Sequence, residues 1–186
     1  ALLVYISAWI KKHHPAAFAA ALLTSQPMGF YAPAEIVRDA REHQVTVLAP
    51  DAAFSDWDST LERDHKGELC LRLGLRQVDG IKEAEAAAIM DNRGYGYRDF
   101  ADFARRTALS KRALVILADA AALRGFGFDR REGLWAVRRL PDDDPLPLFA
   151  PRAAPEQGVE QIAPLPRMPL SEHVLADYQT MRLSLK

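Results

Sequence analysis

The stretch LRLGLRQVDGIKEAEAAAIMDNRG, residues 71–94, decides the reading of this chain. Its apolar start, Leu71 to Leu75, predicts a short strand. Val78-Asp79-Gly80-Ile81 then predicts a tight turn, and the small and helix-forming residues from Glu83 to Arg93 predict a helix. A glycine between two apolar residues, followed at once by a helix, is the outline of a helical hairpin. Gly80 can adopt φ > 0 and lets the backbone approach a ligand closely. The N–H groups at the start of the next helix favour a phosphate. Contact of this kind reads no bases, so it implies grip without sequence choice.

Working outward, a second such turn occurs at Leu123-Arg-Gly-Phe-Gly-Phe128, with Asp129 as N-cap of a helix from Arg130 to Arg139. A single glycine before a helix is common in any helical protein. Two of them, flanked by Arg93, Lys111, Arg112, Arg124, Arg130 and Arg131, read as a tandem helix-hairpin-helix pair suited to DNA. Net charge is −1, but it is unevenly spread. Residues 68–139 hold 14 Lys+Arg against 10 Asp+Glu, and the remainder holds 10 against 15. That modest excess suits a few phosphate contacts and not a large electrostatic footprint.

The 186 residues fit one domain or two small ones, and 49% hydrophobic with 26% charged is ordinary for a folded protein. Alanine and leucine dominate, so the expected class is mainly α. No apolar run approaches the ~20 residues of a membrane span. The opening ALLVYISAWIKKHHP is apolar and then basic, the reverse of a secretory signal. Cys70, the single cysteine, reads as a buried thiol, and the lack of an internal disulfide fits a reducing cytoplasm.

Four segments are expected. Residues 1–67 form a helical segment with a small β element. Pro15 and Pro33 occupy first-turn positions of helices near 16–23 and 34–42, and TSQPMGFYAP between them is a loop. Val45–Leu48 and Leu69–Leu75 read as strands able to pair, separated by the polar excursion DSTLERDHKGE. Residues 68–140 form the hairpin domain, with further helices at Asp99–Arg106 and Lys111–Ala121, the latter capped by Ser110. Residues 141–169 contain eight prolines and read as an extended linker that proteases should cut first. A short helix starts near Ser171. Both ends read as cuts through a larger protein.

Two carboxylate groups merit attention as metal ligands for nucleotidyl transfer. Asp56 and Asp58 read as a polar turn, and Asp142–Asp144 as a solvated charge run. His13 and His14 suit a helix C-terminus, where an imidazole complements the dipole, better than a metal. No phosphate-binding GxxxxGK[ST] or nucleophilic GxSxG motif is present. The expectation is no catalytic residue, no metal site and no cofactor in this chain.

The run AWIKKHHPAAFAAALLTSQPMGFYAPAEIVRDAREH strongly resembles the fingers region of bacterial C-family DNA polymerases. SDWDSTLE, LRLGLRQVDGI, DRREGLWAVR, PLPLFA and EHVLADYQTMRLSLK resemble their error-prone (ImuC) branch. The resemblance covers essentially the whole chain. It implies a fragment of a template-directed DNA polymerase serving damage-induced, mutagenic repair synthesis. In that family a PHP domain, palm, thumb, fingers, tandem hairpins and an OB domain follow in order. This chain would hold the later fingers, the hairpins and the linker toward the OB domain. The Mg²⁺-binding aspartates of the parent lie in the palm, upstream. The hairpins grip product duplex, a role that falls to Gly80, Ile81 and Lys82, and to Gly125, Phe126 and Gly127. Lys82 replaces the second glycine of the usual pattern. Relatives often carry a sliding-clamp peptide in the linker; the matching residues are Leu146, Leu148 and Phe149, without its glutamine. Other mutagenesis proteins are the remaining expected partners. The alternatives are a stand-alone DNA-binding hairpin module and a protein-interaction scaffold whose hairpins only pack.

Overall fold

A computed structural model of the chain describes residues 2–29, 31–64, 66–140, 166 and 168–186. Most of the proline-rich segment, including Leu146, Leu148 and Phe149, lies outside the described residues. The described elements are α1 (Leu2–His13), α2 (Pro15–Thr24), α3 (Pro33–Glu42), β1 (Thr46–Leu48), β2 (Thr60–Arg63), β3 (Leu69–Arg72), α4 (Glu83–Asp91), α5 (Phe100–Thr107), α6 (Lys111–Asp119), α7 (Arg130–Arg138) and α8 (Leu170–Met181). Two 3-10 turns, Leu75–Gln77 and Arg124–Phe126, precede α4 and α7. The chain is mainly α with one small sheet, as its composition predicts.

The helix starts follow local chemistry. Pro15 and Pro33 open α2 and α3, where a missing N–H costs nothing. Ser110 caps α6 by accepting the Ala113 N–H at 3.3 Å, and Asp99 caps α5 through the Asp102 N–H at 2.7 Å. At α7 the Asp129 N–H donates to Glu132 at 2.9 Å, closing the first turn.

The sheet departs from expectation in one element. β1 and β3 pair in parallel, Thr46 opposite Cys70, as the two predicted strands should. The polar stretch expected to be a loop contributes β2, antiparallel to β3 with Leu61 opposite Leu71, so the order is β1-β3-β2. Its alternating exposure explains how a charged segment serves as an edge strand. β3 also stops at Arg72, short of the predicted Leu75, because Gly74 and Leu75 turn into the 3-10 segment.

Two apolar cores result. Leu23, Ile36, Val37, Leu71 and Leu73 bury α2 and α3 against the sheet, and Met181 and Leu183 from the end of α8 complete that layer. Val78, Ile81, Ile89, Phe103, Leu114, Leu117 and Val137 bury α4–α7 around each other. Each such side chain contributes roughly 1.5–3 kcal/mol of burial. Gly133 lets α7 close on α6, its absent methyl facing the Ala118 Cβ at 3.4 Å. Cys70 is buried, as expected.

Helix α1 buries nothing. Leu2, Leu3, Val4, Tyr5, Ile6 and Trp9 are all exposed, giving an apolar surface on several sides of the helix. No helix among the described residues is long and apolar enough to cross a membrane.

Candidate nucleic-acid interface

The first hairpin turn is built as the sequence predicts. Gly80 has φ +93°, and Lys82 is the extended residue before α4. The Lys82 N–H donates to Glu85 at 2.8 Å, the Ile81 N–H to Val78 O at 3.3 Å, and the Ile81 side chain is buried beneath the turn. Gly80 and Lys82 are exposed. Arg112, from the start of α6, donates to Gly80 O at 2.9 Å and pairs with Glu85 at 3.6 Å. Its guanidinium therefore fixes the turn as well as adding charge beside it. Lys111, next to it, is exposed.

The second turn joins α6 to α7, and Gly127 has φ +82°. The expectation that its amides face a phosphate meets a correction. The Gly125 N–H donates to Asp51 Oδ2 at 2.7 Å, Phe126 N–H to Leu123 O at 3.1 Å, and Gly127 N–H to Arg124 O at 2.8 Å. All three are spent inside the fold. Gly125 is required for another reason: a Cβ there would lie 2.6 Å from Asp51 Oδ1 and 2.7 Å from Ala53 Cβ. Burial pushes the Asp51 carboxyl above its ordinary value, opposed by the Ala53 and Gly125 amides that it accepts and by Arg72 and Arg124. Phe126 turns inward against Tyr97 and Phe103.

Two expected phosphate contacts prove to be internal cross-links. Arg93 donates to Phe54 O at 3.1 Å, to Asp56 at 2.8 Å and to Ser55 O, anchoring the loop before β2. Arg130 is 3% exposed and donates to Asp177 at 2.7 Å, with Asp119 O and His173 beside it. Both guanidiniums are thus engaged within the fold, Arg130 in a buried pair and Arg93 with a half-exposed carboxylate. Arg131 is half-buried and pairs with Glu172 of α8 at 2.8 Å.

Sequence reasoning missed the part played by α8. It returns across both hairpins: Thr180 O accepts the Asp79 N–H at 2.8 Å, and Arg182 pairs with Asp79 at 2.9 Å. At its other end His173 lies 3.4 Å from Asp129. The helix was legible from Ser171 onward, but these partners are distant in sequence and no local pattern marks them.

Asp56 and Asp58 pair separately, with Arg93 at 2.8 Å and Arg76 at 2.6 Å. They are polar turn residues, and no group of three or more His, Cys, Asp or Glu able to hold a metal occurs among the described residues.

Comparison with known proteins bears on this geometry. A helix-hairpin-helix motif model matches residues 44–133, spanning the sheet and both turns. The chain is 57% identical over 184 residues, 99% of its length, to an error-prone DNA polymerase of Brucella abortus. It is 54% identical over its whole length to an error-prone DNA polymerase of Rhodopseudomonas palustris, and 44% identical to that of Bradyrhizobium diazoefficiens. The chain is homologous to a segment of the error-prone DNA polymerases. It spans 17% of the Brucella relative, 18% of the Rhodopseudomonas one and 21% of the Bradyrhizobium one. The resemblance read from QPMGFYAP, SDWDSTLE and the hairpins therefore holds at the level of the whole chain.

Proposed function

We propose that this polymerase segment grips duplex DNA through phosphates, without sequence preference, within an enzyme performing damage-induced, mutagenic synthesis. The observation that carries the reading is the first turn. Gly80 at φ +93° and exposed Lys82 lead directly into α4, a helix of defined start in which the Glu85 N–H already donates to Lys82 O at 3.0 Å, so the proposed contact falls to the amides of Glu83 and Ala84. Arg112 adds a positive charge beside the turn, shared with Glu85, and Lys111 next to it is exposed. At the second turn the amides are occupied, so what it offers DNA is the exposed charge of Arg124.

The residues described here do not fit the Mg²⁺ of the polymerase reaction, because Asp56 and Asp58 are each neutralised by an arginine. Metal and nucleotide chemistry is assigned to the remainder of the parent protein. A sliding clamp, engaged by Leu146, Leu148 and Phe149, and other mutagenesis proteins complete the proposed partners.

Fluorescence anisotropy on two unrelated duplexes across a salt series tests the grip. Non-specific affinity of this kind is about 10⁻⁴–10⁻⁶ M at physiological salt and weakens as salt rises. Lys82→Ala should weaken both duplexes equally, and Gly80→Val should do so by distorting the turn. Strong preference for one duplex, or indifference to both substitutions, refutes the reading.

A further inference from the structure

Two exposed aromatic rings lie near the second turn in the chain's packing, Phe54 against the turn itself and Tyr95 in the loop after α4 whose base packs on it. Tyr95 is 114% exposed, a fully projecting side chain, and Phe54 is 57% exposed. The Arg72 guanidinium lies over one face of the Phe54 ring, 5.4 Å from its centroid, whereas the Tyr95 side chain projects fully.

Both rings belong to the surroundings of the second turn. Phe54 lies against it: a Cβ on Gly125 would come 3.0 Å from Phe54 Cε2. Tyr95 sits at the tip of a loop whose base packs on the same turn, the Tyr97 ring lying 6.2 Å from that of Phe126. Arg93, two residues before Tyr95, donates to the Phe54 carbonyl at 3.1 Å. The two aromatic tips are thus joined through one guanidinium.

The Tyr95 tip is a firmly held presentation. The Gly96 N–H donates to Arg93 O at 2.8 Å, Arg106 donates to Gly96 O at 2.9 Å, and the Tyr97 hydroxyl donates to Ile89 O. Gly94 and Gly96 take φ +51° and +116°, so the turn around Tyr95 is tight. The ring is held away from the protein on a backbone that is itself fixed, which lowers the ordering cost of binding. Two acidic groups of this region are engaged: Asp51 accepts the Gly125 N–H and Asp56 pairs with Arg93. Arg124 leaves an exposed positive charge at the turn.

We propose that Tyr95 and Phe54 are stacking platforms for unpaired bases, with Arg124 holding the intervening backbone, so that the second turn takes single-stranded DNA. Exposed π faces beside a cationic backbone track are the usual means of holding a single strand without regard to sequence. A duplex hides its base faces and offers these rings little. The proposal deepens the DNA-binding reading by dividing the labour: duplex at Gly80–Lys82, single strand at Phe54 and Tyr95.

The test uses the whole 186-residue chain, a short oligothymidine carrying one 2-aminopurine, and a duplex without overhangs. Stacking is worth ~1–3 kcal/mol per base, so Tyr95→Ala should weaken the single strand roughly five- to 150-fold and abolish quenching of the 2-aminopurine. Tyr95→Phe should keep both, Phe54→Ala should weaken the single strand, and duplex affinity should not change in any of these variants. Lys82→Ala should show the opposite preference, weakening the duplex only. Duplex binding that is absent in the wild type defeats the duplex reading, while Tyr95-dependent quenching by the single strand would still uphold this one. Unchanged single-strand affinity in Tyr95→Ala overturns the proposal and leaves the tip to a protein partner. An equal loss on single strand and duplex overturns it as well.

Discussion

Gly74 and Gly80 are both glycine, for different physical reasons. A methyl on Gly74 would lie 2.2 Å from Trp57 O and 2.4 Å from Asp58 C, against backbone that cannot step aside. Gly80 needs its φ of +93° and has Ile116 Cδ1 at 3.2 Å from an added Cβ. Gly74→Ala should therefore cost at least about 2 kcal/mol and Gly80→Ala about 1–2 kcal/mol, read from urea midpoints. Equal midpoints for the wild type and Gly74→Ala would contradict the packing described. The role of Gly80 was legible because its turn is local. That of Gly74 was not, since the atoms excluding a side chain belong to the loop before β2. A pH effect belongs to this scale too. Burial and Lys186 hold the His173 imidazole below its ordinary 6.5, against the pull of Asp129 and with Arg130 and Arg124 adding to the depression. The unfolded chain then takes up the proton first. This stability contribution is complete above about pH 6.5 and is lost as pH falls from there through the lowered folded-state value. Thermal melts between about pH 7.5 and pH 5.5 should show a decline that His173→Gln flattens. Asp99, held low by the Asp102 amide and by Arg98, titrates in a lower window and does not confuse the result.

Among the elements, α8 ties the hairpins together. Its Asp177 is buried opposite Arg130 and also receives Ser184 Oγ at 2.8 Å, with Lys186 Nζ at 3.7 Å. Removing the carboxylate strands a buried guanidinium. Asp177→Ala should destabilise by about 3–5 kcal/mol. Arg182→Ala, which breaks a pair whose arginine is 82% exposed, should cost under about 1 kcal/mol. Comparable losses from both in guanidinium titrations would contradict this ranking. The elements whose ends rest on local chemistry were the readable ones: Pro15, Pro33, Ser110 and Asp129 each mark a helix start that the structure keeps. β2 was hidden because only alternate residues of a charged edge strand are shielded, and its partner β3 settles the matter. At the candidate site, Gly80 and Lys82 were legible from spacing, whereas Arg93 and Arg130 looked like surface cations because their acceptors come from distant chain.

At the scale of the whole molecule, the sheet straddles the expected boundary between residues 67 and 68, since β3 pairs with both β1 and β2. The fingers-like and hairpin segments thus share a sheet. Catalysis is expected to reside elsewhere in the parent protein. Incubated with primer-template, Mg²⁺ and all four nucleotides, this chain should give no extension. Extension that disappears in an Asp56→Ala, Asp58→Ala double variant would overturn that expectation. The brace formed by α8 carries a further consequence, for the order of events on the ribosome. Arg130 meets its carboxylate only across 47 residues of later chain, and Asp79 meets Arg182 across 103. At synthesis rates of roughly 5–20 residues per second, α7 waits on the order of 2–9 s for Asp177 to follow it out. During that interval Arg130 lacks both its counter-charge and the helix that helps cover it, so the start of α7 gains its final environment only after α8 has been made.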